Sequence, residues 1–231
     1  MSVAFTANAQ TNLNGDMNHD GEKNITDVML LIDEILNGTK PQSYLTCPDD
    51  HHPHMIDLGL PSGTKWACCN VDDNHSKQSP TNYGSYYAFG ETSEKSEYYW
   101  DTYIHCDDYL GNDIASTQYD VAHVQWGGSW VMPSLEQAQE LINNCYSQWT
   151  SFNGIYGRSF TGNNGGIIFL PAAGYRWYGS LYNDGSYGDY WSSTQHPSYS
   201  SYAFGLYCVS GSAYWDYSNR SSGHTVRPVS K

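Results

Sequence analysis

Three observations on the sequence predict an α+β fold. The 231 residues carry 22 Gly and 9 Pro among abundant Ser and Asn. Such frequent punctuation excludes a helical bundle and favours short strands joined by long loops. Against six short strand-like runs stands one strongly periodic helical stretch, 134–145. Leu, Ile, Val and Phe supply only about 16% of the chain, whereas 21 Tyr and 8 Trp help to bring the aromatic share to 15%. The low aliphatic content and the net charge of −14 fall in the range usual for disordered chains. The ring count overturns that reading, because each ring can bury roughly 150–250 Å².

Residues 1–11 read as a disordered tail or the remnant of a signal peptide, since Ala7-Asn-Ala9 has the small-x-small form of a cleavage site. Residues 16–27 then place oxygen side chains at loop positions 1, 3, 5, 9 and 12 (Asp16, Asn18, Asp20, Asn24 and Asp27), with Gly21 at position 6. That is the ligand ladder of a calcium loop, with Glu22 at position 7 contributing its carbonyl and Asn24 acting through a water. The three carboxylates at ligand positions, Asp16, Asp20 and Asp27, crowded into twelve residues repel one another unless a divalent cation sits between them. Val28, Met29, Leu31, Ile32, Ile35 and Leu36 follow at helical spacing, and Asn37-Gly38 closes that helix. The pattern Asp-x-Asn-x-Asp-Gly-x-x-Asn-x-x-Asp before an amphipathic helix resembles one repeat of a type I dockerin. The resemblance implies calcium as cofactor and a cohesin-like partner. A single repeat leaves its apolar face uncovered, which also allows an intramolecular partner.

The chain thus divides into the tail 1–11, a calcium module 12–40, a Pro-, Asp- and His-rich linker 41–55 and a large domain 56–231. In the large domain, strands are predicted at 65–69, 86–89, 167–170, 190–193, 203–209 and 225–229. The helix at 134–145 has a capping-box start at Ser134. Tyr190, Trp191, Phe204, Leu206 and Cys208 are assigned to packing, and His123 to a half-buried strand. Six Cys, even in number and without C-x-x-C spacing, suit an oxidising compartment and disulfides.

Several segments resemble the Fibrobacter-type major paralogous domain family of the C-type lectin-like superfamily. They are Ile56-Asp-Leu-Gly-Leu-Pro-Ser-Gly-Thr-Lys-Trp66, residues 83–93, Trp126-Gly-Gly-Ser-Trp-Val-Met-Pro-Ser134, Ile168-Phe-Leu-Pro-Ala-Ala-Gly-Tyr-Arg176, Tyr190-Trp-Ser-Ser-Thr194 and Thr225-Val-Arg-Pro-Val229. The resemblance implies a C-type lectin-like domain of short strands, one or two helices and long loops gathered on a ligand-binding face. The Glu-Pro-Asn, Gln-Pro-Asp and Trp-Asn-Asp motifs of calcium-dependent sugar binding do not occur in the sequence.

The last 56 residues are rich in Tyr set among Ser, Gly, Asn and Asp, a composition typical of recognition loops. The ligand-binding candidates are Trp177, Tyr178, Tyr182, Tyr187, Tyr199, Tyr202, Tyr214, Trp215 and Tyr217. No catalytic motif stands out, so the expectation is a binding protein rather than an enzyme. It is expected to be secreted or displayed on a bacterial surface and to recognise a protein or glycan. The rival readings are scaffold-docked cargo assembled through the calcium module, and a glycan-active enzyme. Ten basic residues and an isoelectric point near 4.7 argue against nucleic acid and anionic membrane surfaces. No apolar run approaches the length of a membrane span.

Overall fold

In the computed structural model, residues 23–37, 53–74 and 79–230 are described. Residues 1–22, which hold Asp16, Asn18, Asp20 and Glu22, lie outside them, as does most of the linker. The elements in chain order are α1 (Ile25–Asn37), β1 (Met55–Asp57), β2 (Lys65–Ala67), α2 (Val121–Trp126), α3 (Leu135–Asn144), β3 (Tyr146–Phe152), β4 (Ile155–Thr161) and β5 (Ile167–Pro171). They continue with β6 (Tyr175–Trp177), β7 (Ser180–Tyr182), β8 (Gly188–Gln195), β9 (Tyr202–Cys208), β10 (Ala213–Asn219) and β11 (Val229–Ser230). Among the described residues, no helix is long and apolar enough to cross a membrane.

The α+β expectation, and the lectin-like domain architecture built on it, are overturned. Among the described residues eleven strands dominate, in sheets ordered β1-β2-β11, β10-β9-β8, β3-β4-β5 and β6-β7, each of them antiparallel. The chain is predominantly β because hairpin turns close strands whose side chains are too polar to show as apolar runs. Asn153-Gly154 is the clearest case: both residues have positive φ, 50° and 79°, and Phe152 pairs with Ile155 across a two-residue loop. Asn-Gly suits such a turn, since both central residues must adopt the left-handed region. The expected strand at 86–89 is only an isolated bridge from Tyr87 to His224, and at 225–229 the strand is confined to β11. His123 lies on α2, not on a strand, because Asp120 caps that helix by accepting from the His123 amide at 3.1 Å.

Helix α3 begins as its sequence predicts. The Gln137 amide donates to Ser134 Oγ at 3.3 Å, and the Ser134 amide donates to Gln137 Oε1 at 2.9 Å. Leu141 and Ala138 turn into the main core with Ile56, Trp66, Phe160, Leu170, Tyr190 and Leu206. Replacing Ser134 by Ala is expected to lower stability by about 1 kcal/mol, read from urea unfolding, while Ser134→Asp preserves it. An Ala variant that unfolds at the wild-type midpoint contradicts this role for the cap.

The rings do the work of the missing aliphatics in a specific way. Buried tyrosines donate their hydroxyls to carbonyls: Tyr86 to Ala173, Tyr98 to Tyr86, Tyr103 to Phe89 and Tyr190 to Pro171. Trp191 Nε1 donates to the Tyr87 carbonyl at 2.8 Å. A loop-rich chain has many backbone carbonyls outside regular ladders, and each one left unpaired in the interior costs about 1–3 kcal/mol. Tyr fills apolar volume and satisfies such a group with one side chain, which Leu or Ile cannot do. Tyr190, Trp191, Phe204, Leu206 and Cys208 are all buried. Cys106, Cys145 and Cys208 are free thiols; burial pushes those of Cys145 and Cys208 up to about 12.

Candidate functional site

In the β8-β9-β10 sheet, Asp189 pairs with Tyr207, and Tyr207 with Tyr214. Directly paired residues project from the same face, so the three form one row across the sheet. Tyr207 and Tyr214 stack at 5.6 Å with planes 14° apart. Above this row lies a cavity of about 190 Å³, lined also by Tyr175, Asn183, Tyr187, Ser218 and His224. Tyr175 enters from β6 because Gly174 (φ 63°) turns the chain tightly there: a Cβ on Gly174 would come within 2.1 Å of the Tyr182 carbonyl oxygen. Tyr182 in turn stacks on Tyr175 at 5.6 Å.

Asp189 is only 3% exposed. Among the described residues, no hydrogen bond or ion pair reaches its carboxylate, and burial alone pushes its pKa up to about 7. Its neighbour His224 stacks on the Trp191 indole at 4.1 Å and is fixed by backbone bonds to Tyr87 in both directions, 2.9 and 3.1 Å. Burial drives the imidazole down to about 3, so it is neutral, and its buried Nδ1 has no hydrogen-bond partner among the described residues. The Tyr207 hydroxyl is buried beside Ser218 without a hydrogen bond of good geometry. Burial and the nearby Asp189 charge raise the pKa of Tyr175, Tyr207 and Tyr214. Among the described residues, the cavity therefore combines an acid without a counter-charge, a neutral imidazole and ring walls.

Of the nine candidate rings, only Tyr187 and Tyr214 line this cavity. Trp215 and Tyr217 project from the opposite face of the same sheet, paired with Leu206 and Phe204. There Tyr217 meets Tyr202 at 5.3 Å, Tyr199 at 6.3 Å and His196 at 4.9 Å, and Trp215 meets Phe204 at 5.9 Å. Tyr182 backs Tyr175, while Trp177 and Tyr178 sit at the β6-β7 turn, where Tyr178 stacks on Tyr99 at 5.1 Å. One surface expected from the sequence is thus three separate groups. The composition argument missed Asp189, Tyr175, Tyr207 and His224. The available signal was Gly188-Asp-Tyr-Trp191, where a lone acid interrupts a run of buried strand residues.

Of the six calcium-loop residues, Asn24 and Asp27 are described. Asn24 Oδ1 accepts the Thr26 amide at 2.8 Å and Asp27 Oδ2 accepts the Asn24 amide at 2.8 Å, a reciprocal cap on α1. The oxygen side chains at these positions are of the type that a hard cation such as calcium takes. Among the described residues, no group of three His, Cys, Asp or Glu side chains could hold a metal ion.

Residues 147–229, which contain every residue lining the cavity, are similar to a family described as a domain of unknown function (DUF8237). No curated protein and no solved structure matches the chain.

Proposed function

We propose that the protein is a secreted or cell-surface binding protein that takes a protein or glycan ligand into the tyrosine cavity on the β8-β9-β10 sheet. The observation that carries this reading is the unpaired Asp189 carboxylate on the floor of a ring-lined cavity. A buried polar group without a partner costs stability, and such sites persist where a ligand completes them. Tyrosine walls offer large contact area with few rotatable bonds to freeze, which suits recognition. In the same reading calcium is the cofactor of residues 16–27, supported by the spacing of their oxygen side chains.

Glycan and peptide arrays probed with the full chain test the proposal. Tyr214 is 38% exposed, so Tyr214→Ala is expected to reduce retention at least about tenfold, the factor that 1.4 kcal/mol produces, while shifting thermal unfolding little. An array pattern unchanged by Tyr214→Ala places the binding surface elsewhere and overturns the proposal.

A further inference from the structure

We infer that the cavity is a receptor for an alkylammonium group, with Asp189 as its counter-charge and the rings of Tyr175, Tyr187, Tyr207 and Tyr214 as its walls. This rests on the cavity being a binding site, and it names the chemistry of what binds.

The first argument is charge. Among the described residues, no Lys or Arg lines the cavity, and the other lining group able to carry positive charge, His224, is held neutral by burial. Hydroxyl groups of a sugar can donate to a carboxylate, but they leave its charge uncompensated in a low-dielectric site, where a cation does not. The phenol rings of the walls bring no positive charge and can accept a cation beside the carboxylate. The chain's net charge of −14 draws cations towards it at long range.

The second argument is size and donor set. At about 190 Å³ the cavity holds several times the roughly 30 Å³ that one water occupies in the liquid. A bare metal ion needs several strong ligands converging on it, and among the described residues this cavity offers one carboxylate and one imidazole beside neutral amide and hydroxyl groups, with no group of three His, Cys, Asp or Glu. A polyatomic cation, which is bulky, weakly hydrated and content with one carboxylate and ring faces, matches both the volume and the lining.

The groups facing Asp189 also set the expected pH dependence. Asn183 and Tyr187 face the cavity from the β7-β8 loop, Tyr175 from β6, Tyr207 from β9, Tyr214 and Ser218 from β10, and His224 from the segment before β11. Tyr175, Tyr207 and Tyr214 are raised and so stay neutral, and His224 is lowered and so stays neutral. Asp189 is then the group that changes charge near neutrality, and ammonium binding strengthens as pH rises through about 7.

The test is titration of the full chain with choline and with 3,3-dimethyl-1-butanol, its neutral isostere, followed by calorimetry and by the NMR signals of the cavity tyrosines. Choline is expected to saturate and to bind at least about tenfold more tightly than the alcohol at pH 8. Asp189→Asn, checked for an intact melting transition, is expected to abolish that preference. Equal binding of the two compounds, or undiminished choline binding by Asp189→Asn, overturns the ammonium assignment and leaves the binding cavity standing. Methyl glycosides that perturb the cavity rings where choline does not have the same consequence. If neither compound nor any methyl glycoside perturbs these rings, and Tyr214→Ala leaves array binding unchanged, the cavity reading falls with it.

Discussion

Replacing Arg227 by Met is expected to lower stability by at least about 4 kcal/mol, a large share of the roughly 5–15 kcal/mol a domain has in reserve. The Arg227 side chain is 0% exposed. Its Nε donates to Asn70 Oδ1 at 2.6 Å, one terminal nitrogen donates to the carbonyls of Ala67 and Cys68 at 3.1 Å each, and the other donates to the Phe169 carbonyl at 2.9 Å. One planar fork therefore ties the loop after β2 to β5 from a position just before β11. Met fills the volume but leaves these acceptors without donors in the interior. Arg227→Lys is expected to recover only part of the loss, because an ammonium cannot reproduce the fork. Urea unfolding with far-ultraviolet circular dichroism measures both; a Met variant within about 1 kcal/mol of wild type sinks this account.

The second large effect is a change in pH dependence. Asp189→Asn is expected to raise stability by on the order of 2–4 kcal/mol at pH 8 and to change it little at pH 4. Burial raises the folded-state acid from 3.8 to about 7. Between these values the folded protein keeps a proton that the unfolded chain has released, so stability falls as pH rises through the window and stays low above it. Three pKa units correspond to about 4 kcal/mol, and the unmet hydrogen bonds of the new amide take back part of the gain. Asn cannot titrate, so its curve lacks this decline. Unfolding midpoints for both proteins at pH 4, 6 and 8 check the prediction, and parallel curves contradict it. A variant that is more stable yet fails to bind choline is the pattern expected where a site is kept at the expense of stability.

Local chemistry was legible in the residues. Ser134 and Gln137 satisfy each other's amides three residues apart, so the start of α3 follows from four consecutive side chains. Asn153-Gly154 carries an equally local hairpin signal, and the β3-β4 pair escapes an apolar-run search only because Ser, Gln, Thr and Arg occupy many of its positions. The same search places His123 on a strand, because the short run around it has no clear period; Asp120, immediately before α2, is the feature that settles it. The overturned α+β class has this origin too: polar strands carry no apolar periodicity, while α3 is the one strongly patterned helix in the large domain.

The sites were legible only in composition. An excess of Tyr announces that rings must fill the core and also reach the surface, but ring count carries no direction. Register supplied it. Pairing of Tyr207 with Asp189 and Tyr214 puts those three on one face, and pairing of Phe204 with Tyr217 puts the other rings on the reverse. A shift of one residue in that register would exchange the two faces. What acts within a few residues is written in them: caps, tight turns, a ring-based interior and a strongly acidic chain. That Asp189 stands without a counter-charge among the described residues is a property of the folded chain, because its burial and the neutrality of His224 arise where strands and loops distant in sequence meet.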